Sequence, residues 1–462
     1  MWSWENLWAS GWVCPTAMLC TYGFFANCRP AEPFLTPYLV GSKNISEDVV
    51  TNYLFPIWTY SYLALLFPVF LLTDLLRYKP LIVLQGLFLV TNYSLLCFAD
   101  DLAAMTVLQV NYAVVTSTEV AYFSCIYRLI PPQHYQRATG CLRGAMLSGY
   151  TLGAASGQLL VSLAGVSYFH INTITLALVA IAFLVSFFVP MPQHGMFFHQ
   201  GGLEMDGQDI QETAEAVEPK VARHKSGKKE EMRGAFGVQH AGLLLWSSAR
   251  EAYSSRGLAY WSLWWAMATA GYNQVFNYVQ LMWDHVEPSS SALVYNGGVE
   301  AVCTLVGAAA AFAVGHVRVR WEVWGELSLG VFSAVGAGAV FLMALSSNIW
   351  LCYAGYVIFK ASYMLQITVT TFQIAASLSM QCYALTFGIN TFVAITLQTV
   401  ITAVVVDEST LGLDIVTQFV IYGSYHACIS VLFLIRGLYT AWNLHSRSKH
   451  AEPQSHVLSA RL

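Results

Sequence analysis

Charged side chains are scarce in this sequence. Only 10% of its 462 residues are Asp, Glu, Lys or Arg, whereas 56% are hydrophobic. A soluble globular protein carries about 25% charged residues, so this chain has too few to cover the surface of a soluble body of its size. The composition therefore excludes a soluble protein and predicts an integral membrane protein in contact with the lipid bilayer.

Motifs typical of enzymes, metal centres and nucleic-acid binding are also missing. The ten cysteines lie singly, mostly within apolar runs, and no C-x-x-C pair or other metal-ligand spacing occurs. No nucleophile or phosphate-binding motif stands out, and the net charge of -4 comes without a basic patch. We therefore predict that the chain is not an enzyme, uses no metal or cofactor, and binds no nucleic acid.

Apolar segments long enough to cross a bilayer core, which takes about 20 residues of helix, occur twelve times. The first six cover roughly residues 12–30, 53–73, 80–98, 104–130, 140–164 and 170–190. The other six cover roughly residues 258–283, 293–315, 322–345, 349–376, 383–406 and 415–437. The sequence therefore predicts an all-α polytopic membrane protein with twelve transmembrane helices.

One long polar stretch separates the two groups of spans. Residues 193–256 are dense in charge and poor in large apolar side chains, a composition that predicts a largely disordered linker. The predicted domains are an N-terminal six-helix half at 1–192, this linker, a C-terminal six-helix half at 257–440 and a tail at 441–462. This 6+6 arrangement is that of a major-facilitator transporter, whose substrate binds between the two halves.

Basic residues mark one side of the predicted bundle. Lysine and arginine occupy alternate loops, the linker and the tail, whereas the intervening loops carry mainly aspartate and glutamate. Because basic loops stay in the cytoplasm, we expect both termini and the linker to be cytoplasmic. The sequon NIS at Asn44 then faces the outside, where N-glycosylation takes place.

A polar stripe crosses the fourth span. Gln109, Tyr112, Thr116 and Glu119 recur at helical spacing and share one face of an otherwise apolar segment. An ionised side chain at bilayer depth is costly and usually faces the protein interior or a water-filled cavity. The stripe therefore predicts a cavity wall, with pairing of the carboxylate to a neighbouring helix as the alternative.

Aromatic and amide side chains add candidates in other spans. Trp58 belongs to an aromatic stripe in the second span, for which packing and substrate contact are equally compatible with the pattern. Asn273 and Asn277 in the seventh span either line the cavity or join helices by hydrogen bonds. Each of these positions therefore keeps two interpretations.

Charges at bilayer depth indicate the kind of solute. Lys360 is the one base of the tenth span, and its structural interpretation is a structural or gating salt bridge with Glu119 or Glu300. The first span breaks at RPAEPFLTPYL, where three prolines remove backbone donors, and Glu32 within this break is expected near the extracellular mouth of the pathway. Because acids outnumber bases and aromatic residues are plentiful, the sequence favours a compact, flat, cationic heteroaromatic solute.

Several blocks of the sequence closely resemble the reduced-folate and thiamine carrier family. They are RPAEPFLTPYL, FPIWTYSYLALLFPVFLLTD, HYQRATGCLR, YWSLWWAMATAGYNQVFNYVQ, VYNGGVE, CYAGYVIFKASYM and ALTFGINTF. The resemblance covers essentially every span and leaves out only the central loop and the tail. It implies a plasma-membrane secondary transporter that imports thiamine or a related small organic cation by alternating access.

The resemblance also implies where the substrate binds. The matching positions are Trp58, Tyr93, Gln109, Tyr112, Tyr150 and Asn296, with Glu32 near the route and Glu119 in the polar stripe. Gln109 stands where the thiamine members carry a glutamate, and Tyr93 replaces a tryptophan. Glu119 stands where the folate member has a base, which favours a cation over a folate.

Two alternatives to a thiamine carrier remain open. One is a carrier for another vitamin, such as pyridoxine or a reduced folate, and the other is a non-transporting sensor on the same scaffold. The sequence indicates no coupling ion.

Overall fold

The computed structural model describes residues 12–76, 78–131, 134–191, 250, 253, 255–289, 294–316, 321–376 and 380–451. Within these ranges the chain folds into helices and turns, without a β-strand. The predicted linker at 193–256 lies outside the described residues, apart from Arg250, Tyr253, Ser255 and Arg256. The all-α prediction is confirmed.

Twelve long helices can be counted in the described part of the chain, six before the linker and six after it. The first six are α1 (Val13–Asn27), α2 (Phe55–Leu75), α3 (Lys79–Phe98), α4 (Leu102–Leu129), α5 (Tyr135–Ser162) and α6 (Tyr168–Ser186). The second six are α7 (Arg256–Val286), α8 (Asn296–His316), α9 (Trp321–Leu345), α10 (Ile349–Ala376), α11 (Met380–Ile401) and α12 (Ile415–Ala451). They correspond to the twelve predicted spans, although α12 continues past the predicted end at residue 437.

Hydropathy alone identifies fewer spans than the fold contains. Within the described residues, five segments are long and apolar enough to cross a membrane, with mean hydropathies of 1.6 to 2.0. They lie in α3, α6, α9, α12 and the stretch formed by α11 and the turn that follows it. Helices such as α4 carry polar side chains on their inner face, and these side chains lower the mean hydropathy of the whole segment.

The predicted break after α1 is present, and we call residues 28–42 the broken segment. It contains a 3-10 turn at Glu32–Phe34, a short helical turn at Leu35–Pro37 and a π-helical turn at Tyr38–Ser42. Prolines cannot donate the backbone hydrogen bonds of a regular helix, which accounts for the interruption. The break turns backbone and side chains toward the bundle interior, where irregular backbone can line a cavity.

Two glycines of α5 let the broken segment approach closely. A Cβ at Gly153 would lie 2.7 Å from the backbone nitrogen of Arg29, and a Cβ at Gly157 would lie 2.4 Å from the carbonyl oxygen of Pro30. Both distances are too short for a real side chain. Small residues of this kind allow backbones to pack tightly inside membrane proteins, and here they fix the position of Arg29 and of Glu32 just beyond it.

The two halves pack through α2 against α11 and through α5 against α8. Several hydrogen bonds between the halves lie at the end of the bundle where α1 ends and α2 begins, which we call the Asn44 end. They join the hydroxyl of Tyr60 to Asp407 (2.6 Å), the backbone N–H of Gly298 to Gln158 (3.0 Å) and the backbone N–H of Thr36 to Gln280 (3.2 Å). These contacts hold the halves together at that end.

Candidate functional site

A cavity of about 500 Å³ lies between the two halves, within the size range of small-molecule sites. The N-terminal half contributes the broken segment, α2, α3 and α4, and the C-terminal half contributes α7. Its polar and aromatic lining residues are Glu32, Thr36, Phe55, Trp58, Tyr62, Asn92, Tyr93, Gln109, Tyr112, Thr116, Glu119, Tyr272, Asn273, Phe276, Asn277 and Gln280. The cavity therefore has two carboxylates on its N-terminal wall and amides with aromatic rings on its C-terminal wall.

The polar stripe of α4 faces this cavity along its whole length. Gln109, Tyr112, Thr116 and Glu119 all belong to the lining, as the helical spacing predicts. Gln109 is only 5% exposed, so its amide is removed from bulk solvent. That these side chains bind a substrate stays a prediction.

Aromatic side chains form one side of the cavity. The ring of Trp58 stacks on that of Tyr62 at 5.7 Å between centroids and lies 6.4 Å from the ring of Tyr112. The indole N–H of Trp58 has no hydrogen-bond partner among the described residues. Tyr93 and Glu32 also line the cavity. Trp58 thus packs against Tyr62 and also faces the cavity, so its position is compatible with both interpretations of the aromatic stripe.

Tyr150 and Asn296 lie outside the main cavity in this conformation. The hydroxyl of Tyr150 donates to Glu300 Oε2 at 3.1 Å. The side-chain oxygen of Asn296 accepts a hydrogen bond from Tyr353 at 3.2 Å, and Asn296 lines a separate small pocket. Neither is among the described residues that line the main cavity, and their role in substrate binding stays a prediction.

The amides of α7 show both of the behaviours expected for them. Asn273 lines the cavity and also donates to the side-chain oxygen of Gln398 on α11 at 3.0 Å, so it joins two helices. Asn277 lines the cavity as well, and its amide nitrogen has no hydrogen-bond partner among the described residues. Asn277 therefore offers a free donor to a molecule in the cavity.

Lys360 pairs with Glu300, which decides between the two partners expected for it. Its ammonium lies 2.5 Å from Glu300 Oε2, and both side chains are at most 5% exposed. The hydroxyl of Tyr356 donates to the other carboxylate oxygen at 2.8 Å. The ammonium also lies 5.2 Å from the ring centroid of Phe276, which is part of the cavity wall. The ion pair therefore lies directly behind that wall.

Arg29 is a functional candidate that the sequence reasoning missed. It lies at the start of the broken segment, where its Nη1 donates to the Tyr112 hydroxyl at 2.7 Å and its Nε lies 3.1 Å from Glu32 Oε2. A base inside an apolar span next to a proline was the available signal, because intramembrane charges are usually functional. With Arg29, Glu32 and Glu119 ionised, this region carries one net negative charge.

A smaller cavity of about 70 Å³ lies behind α4. It shares Tyr112, Thr116 and Glu119 with the main cavity, so these residues form the wall between the two. On its far side it is lined by polar groups that include Asn27, Arg29 and Gln85. Glu119 can therefore be reached from two directions.

Asp407, in the loop after α11, carries a negative charge at the Asn44 end. Hydrogen bonds from Ser409 and from the hydroxyl of Tyr60 lower the pKa of Asp407 from its usual value. The carboxylate is therefore ionised at neutral pH, and the contact with Tyr60 is charge-assisted. This bond ties α2 of one half to the end of α11 in the other.

Known proteins are similar to this chain over most of its length. The model of the reduced folate carrier family matches residues 10–421. Thiamine transporter 2 of Macaca fascicularis is 48% identical in an alignment that covers 96% of this chain and 94% of that protein. Thiamine transporter 1 of Homo sapiens is 48% identical in an alignment that covers 92% of this chain and 90% of that protein. The reduced folate transporter of Homo sapiens is 40% identical in an alignment that covers 94% of this chain and 72% of that protein.

Solved transporter structures share the fold at low sequence identity. The nucleoside transporter NupG superposes with a TM-score of 0.57 at 13% identity, covering 91% of this chain and 98% of its own. A POT family transporter in complex with 5-aminolevulinic acid superposes with a TM-score of 0.62 at 10% identity, covering 92% and 96%. The major-facilitator-type fold is thereby confirmed.

The relatives also confirm two predictions about the kind of protein. All those named above are transporters, so this chain is a multi-pass membrane transporter and not an enzyme. The family model covers most of the chain, and relatives at 40% identity or more extend over more than nine-tenths of it. The chain therefore belongs to the reduced folate carrier family.

Proposed function

We propose that this chain is a plasma-membrane secondary transporter that imports thiamine by alternating access. The observation that supports this best is the cavity between the halves, where Glu32 and Glu119 lie beside the rings of Trp58 and Tyr112. The similarity of nearly the whole chain to proteins named thiamine transporters supports the same substrate.

Thiamine joins a permanently positive thiazolium ring to a flat aminopyrimidine ring. Carboxylates attract such a charge strongly when water is largely excluded, and the faces of aromatic rings attract it as well. Gln109 offers an amide that can hydrogen-bond the edge of an aminopyrimidine. The proposed substrate-binding residues are Glu32, Trp58, Tyr93, Gln109 and Tyr112, joined by Tyr150 and Asn296 when the halves move. Glu119 belongs to the same site and acts on the cation through its charge.

Paired bases disfavour an anionic substrate. Lys360 is engaged by Glu300, and Arg29 is engaged by Glu32, so neither base offers the cavity an uncompensated positive charge. A reduced folate carries carboxylates that would need such a charge. Pyridoxine, which has a smaller and uncharged ring, is the second candidate, because Gln109 supplies hydrogen bonds without charge.

Uptake of radiolabelled thiamine by cells that express the chain tests the proposed function. We expect saturable accumulation that unlabelled thiamine inhibits and that an excess of a reduced folate does not. Binding of thiamine to the purified protein without accumulation in cells would indicate a sensor. Accumulation of pyridoxine in the absence of thiamine uptake would indicate a carrier for another vitamin.

Alternating access requires the contacts at the Asn44 end to open, and Tyr60→Phe is expected to make this easier. The substitution removes the hydroxyl that donates to Asp407. A net loss of about 1.5 kcal/mol for one hydrogen bond to a charged group would shift the equilibrium between closed and open ends about tenfold. A cysteine introduced as Thr36→Cys, just inside that end of the cavity, reports the opening through its rate of labelling by a membrane-impermeant thiol reagent.

The matched control for this experiment is Tyr53→Phe, which changes an exposed ring close to the start of the same helix. It should leave the labelling rate at position 36 unchanged, whereas Tyr60→Phe should raise it about tenfold. Equal rates in the two variants would show that the Tyr60–Asp407 bond does not keep this end closed.

The proposed orientation places both termini and the 193–256 linker in the cytoplasm and the Asn44 end outside. Asn44 is exposed in the loop between the Tyr38–Ser42 and Glu47–Val49 turns. We expect glycosidase treatment to increase the electrophoretic mobility of the wild-type protein and to leave Asn44→Gln unchanged. Ser46→Thr preserves the sequon and is the control that should behave like wild type. Wild-type protein with unaltered mobility would contradict glycosylation at this site.

A further inference from the structure

Arg29 occupies the groups that a substrate cation would need. Its Nη1 donates to the hydroxyl of Tyr112, and its guanidinium carbon lies 5.9 Å from the centroid of the same ring. Its Nε lies 3.1 Å from Glu32 Oε2. In this conformation Arg29 therefore neutralises Glu32, and a cation that enters the main cavity has to compete with it.

The ion pair between Arg29 and Glu32 is close but poorly aligned. Although Nε and Oε2 are 3.1 Å apart, neither atom makes a well-directed hydrogen bond to a described residue. A charge-assisted hydrogen bond loses much of its strength when the N–H does not point at the oxygen. This pair is therefore easier to exchange than an aligned, two-pronged contact.

Glu119 is a second carboxylate within reach of the same arginine. It lines the smaller cavity together with Arg29 and is close enough to interact with it electrostatically. Among the described residues, Glu32 and Glu300 have ion-pair partners within 4 Å, whereas Glu119 has none. Arg143 of α5 also acts on Glu119, but Arg143 is exposed, so water and salt screen its charge.

We infer that Arg29 changes carboxylate when the carrier is loaded, an inference that rests on the proposed function. In the empty carrier Arg29 is paired with Glu32, and Glu119 has no ion-pair partner within 4 Å among the described residues. When the substrate cation takes Glu32, the guanidinium turns within the smaller cavity and pairs with Glu119. Both carboxylates are then compensated, and the region changes from one net negative charge to none.

This exchange makes Arg29 a positioning residue that links occupancy to movement of the halves. An uncompensated carboxylate is costly to enclose in a low-dielectric interior, so the empty carrier resists closing around Glu119. A substrate with a single positive charge removes that cost. A neutral molecule leaves one negative charge, and a dication leaves one positive charge, so the arrangement selects monocations.

A double-mutant cycle on the purified protein tests the exchange with radiolabelled thiamine. Glu119→Gln leaves Arg29 with no second partner, so the Kd for thiamine is expected to rise about tenfold through loss of one charge-assisted contact. In Arg29→Gln, Glu32 is already free, so the Kd should not exceed that of wild type. The variant that combines both substitutions has no guanidinium to move from Glu32 to Glu119. Its Kd should therefore stay within about twofold of wild type.

Arg143→Gln is the matched control, because it removes a charge that acts on Glu119 without touching Glu32, and it should leave the Kd unchanged. A combined variant whose Kd is as high as that of Glu119→Gln would overturn the exchange, since Glu119 would then contact the substrate itself. The combined variant has the same net charge as wild type, because it loses one positive and one negative group. It therefore still tests the exchange if Arg29→Gln alone folds poorly. Wild-type protein that binds no thiamine would refute the proposed function instead.

Discussion

Glu300→Gln is expected to lower the stability of the carrier strongly. The substitution leaves the ammonium of Lys360 in the interior without its carboxylate, which lies at 2.5 Å in the wild-type protein. Breaking a buried ion pair from one side costs about 3–5 kcal/mol, because the remaining charge is neither solvated nor compensated. We expect a lower midpoint of thermal unfolding for the purified protein and a smaller amount of protein at the cell surface.

The variant Glu300→Gln/Lys360→Met separates the charge from the packing. It removes both members of the pair, so no uncompensated charge is left, and most of the stability lost in Glu300→Gln should return. A single variant as stable as wild type would show that Lys360 finds another partner. A stable double variant that transports nothing would assign the pair a role in movement, through the bond from Tyr150 to Glu300 that joins the halves.

The helices and their order follow from the sequence because the bilayer restricts what a chain can do. A spanning segment must satisfy its own backbone and be about 20 residues long. The spacing of segments of that length therefore predicts the twelve helices, even where polar side chains on an inner face lower the mean hydropathy. Their ends are less regular. The last helix runs to Ala451, since nothing in the lipid requires a helix to stop where the apolar run stops.

The wall formed by α4 also follows from the sequence. Helical spacing places Gln109, Tyr112, Thr116 and Glu119 on one face, and a polar face is too costly to expose to lipid. The structure places all four at the cavity. Periodicity therefore predicts which face is inward without any knowledge of the neighbouring helices.

Contacts between side chains on helices that are far apart in the sequence could not be predicted in the same way. A base at bilayer depth predicts that Lys360 points inward, but only packing of α8 against α10 selects Glu300 over Glu119. Arg29 and Tyr112 are 83 positions apart in the chain, and their contact depends on the close approach that Gly153 and Gly157 permit. Tyr150 bonds to Glu300 in this conformation, because the contact between α5 and α8 brings them together, and its role at the substrate stays a prediction.

Gln109→Glu is expected to strengthen thiamine uptake about tenfold, if one hydrogen bond to the substrate becomes charge-assisted. Gln109 lines the cavity one helical turn before Tyr112 and is 5% exposed. Its amide offers only neutral hydrogen bonds, whereas a carboxylate at this place adds attraction for the cation. The measurement is concentration-dependent thiamine uptake by wild type and variant at matched surface expression.

Repulsion opposes this gain, because the variant adds a third carboxylate to the region and raises its net negative charge. Glu119 is ten residues further along α4 than Gln109, about 15 Å at 1.5 Å per residue. The positive charge of Arg29, bound to Tyr112, lies between the two positions. The repulsion between the two carboxylates should therefore be smaller than the gain in attraction for the cation. Gln109→Met, which keeps the size but removes the hydrogen bonds, should weaken uptake and serves as the control. Equal uptake by wild type, Gln109→Glu and Gln109→Met would show that this position does not contact thiamine. Transport by Gln109→Glu alone would mean that the native substrate lacks the charge that a glutamate recognises.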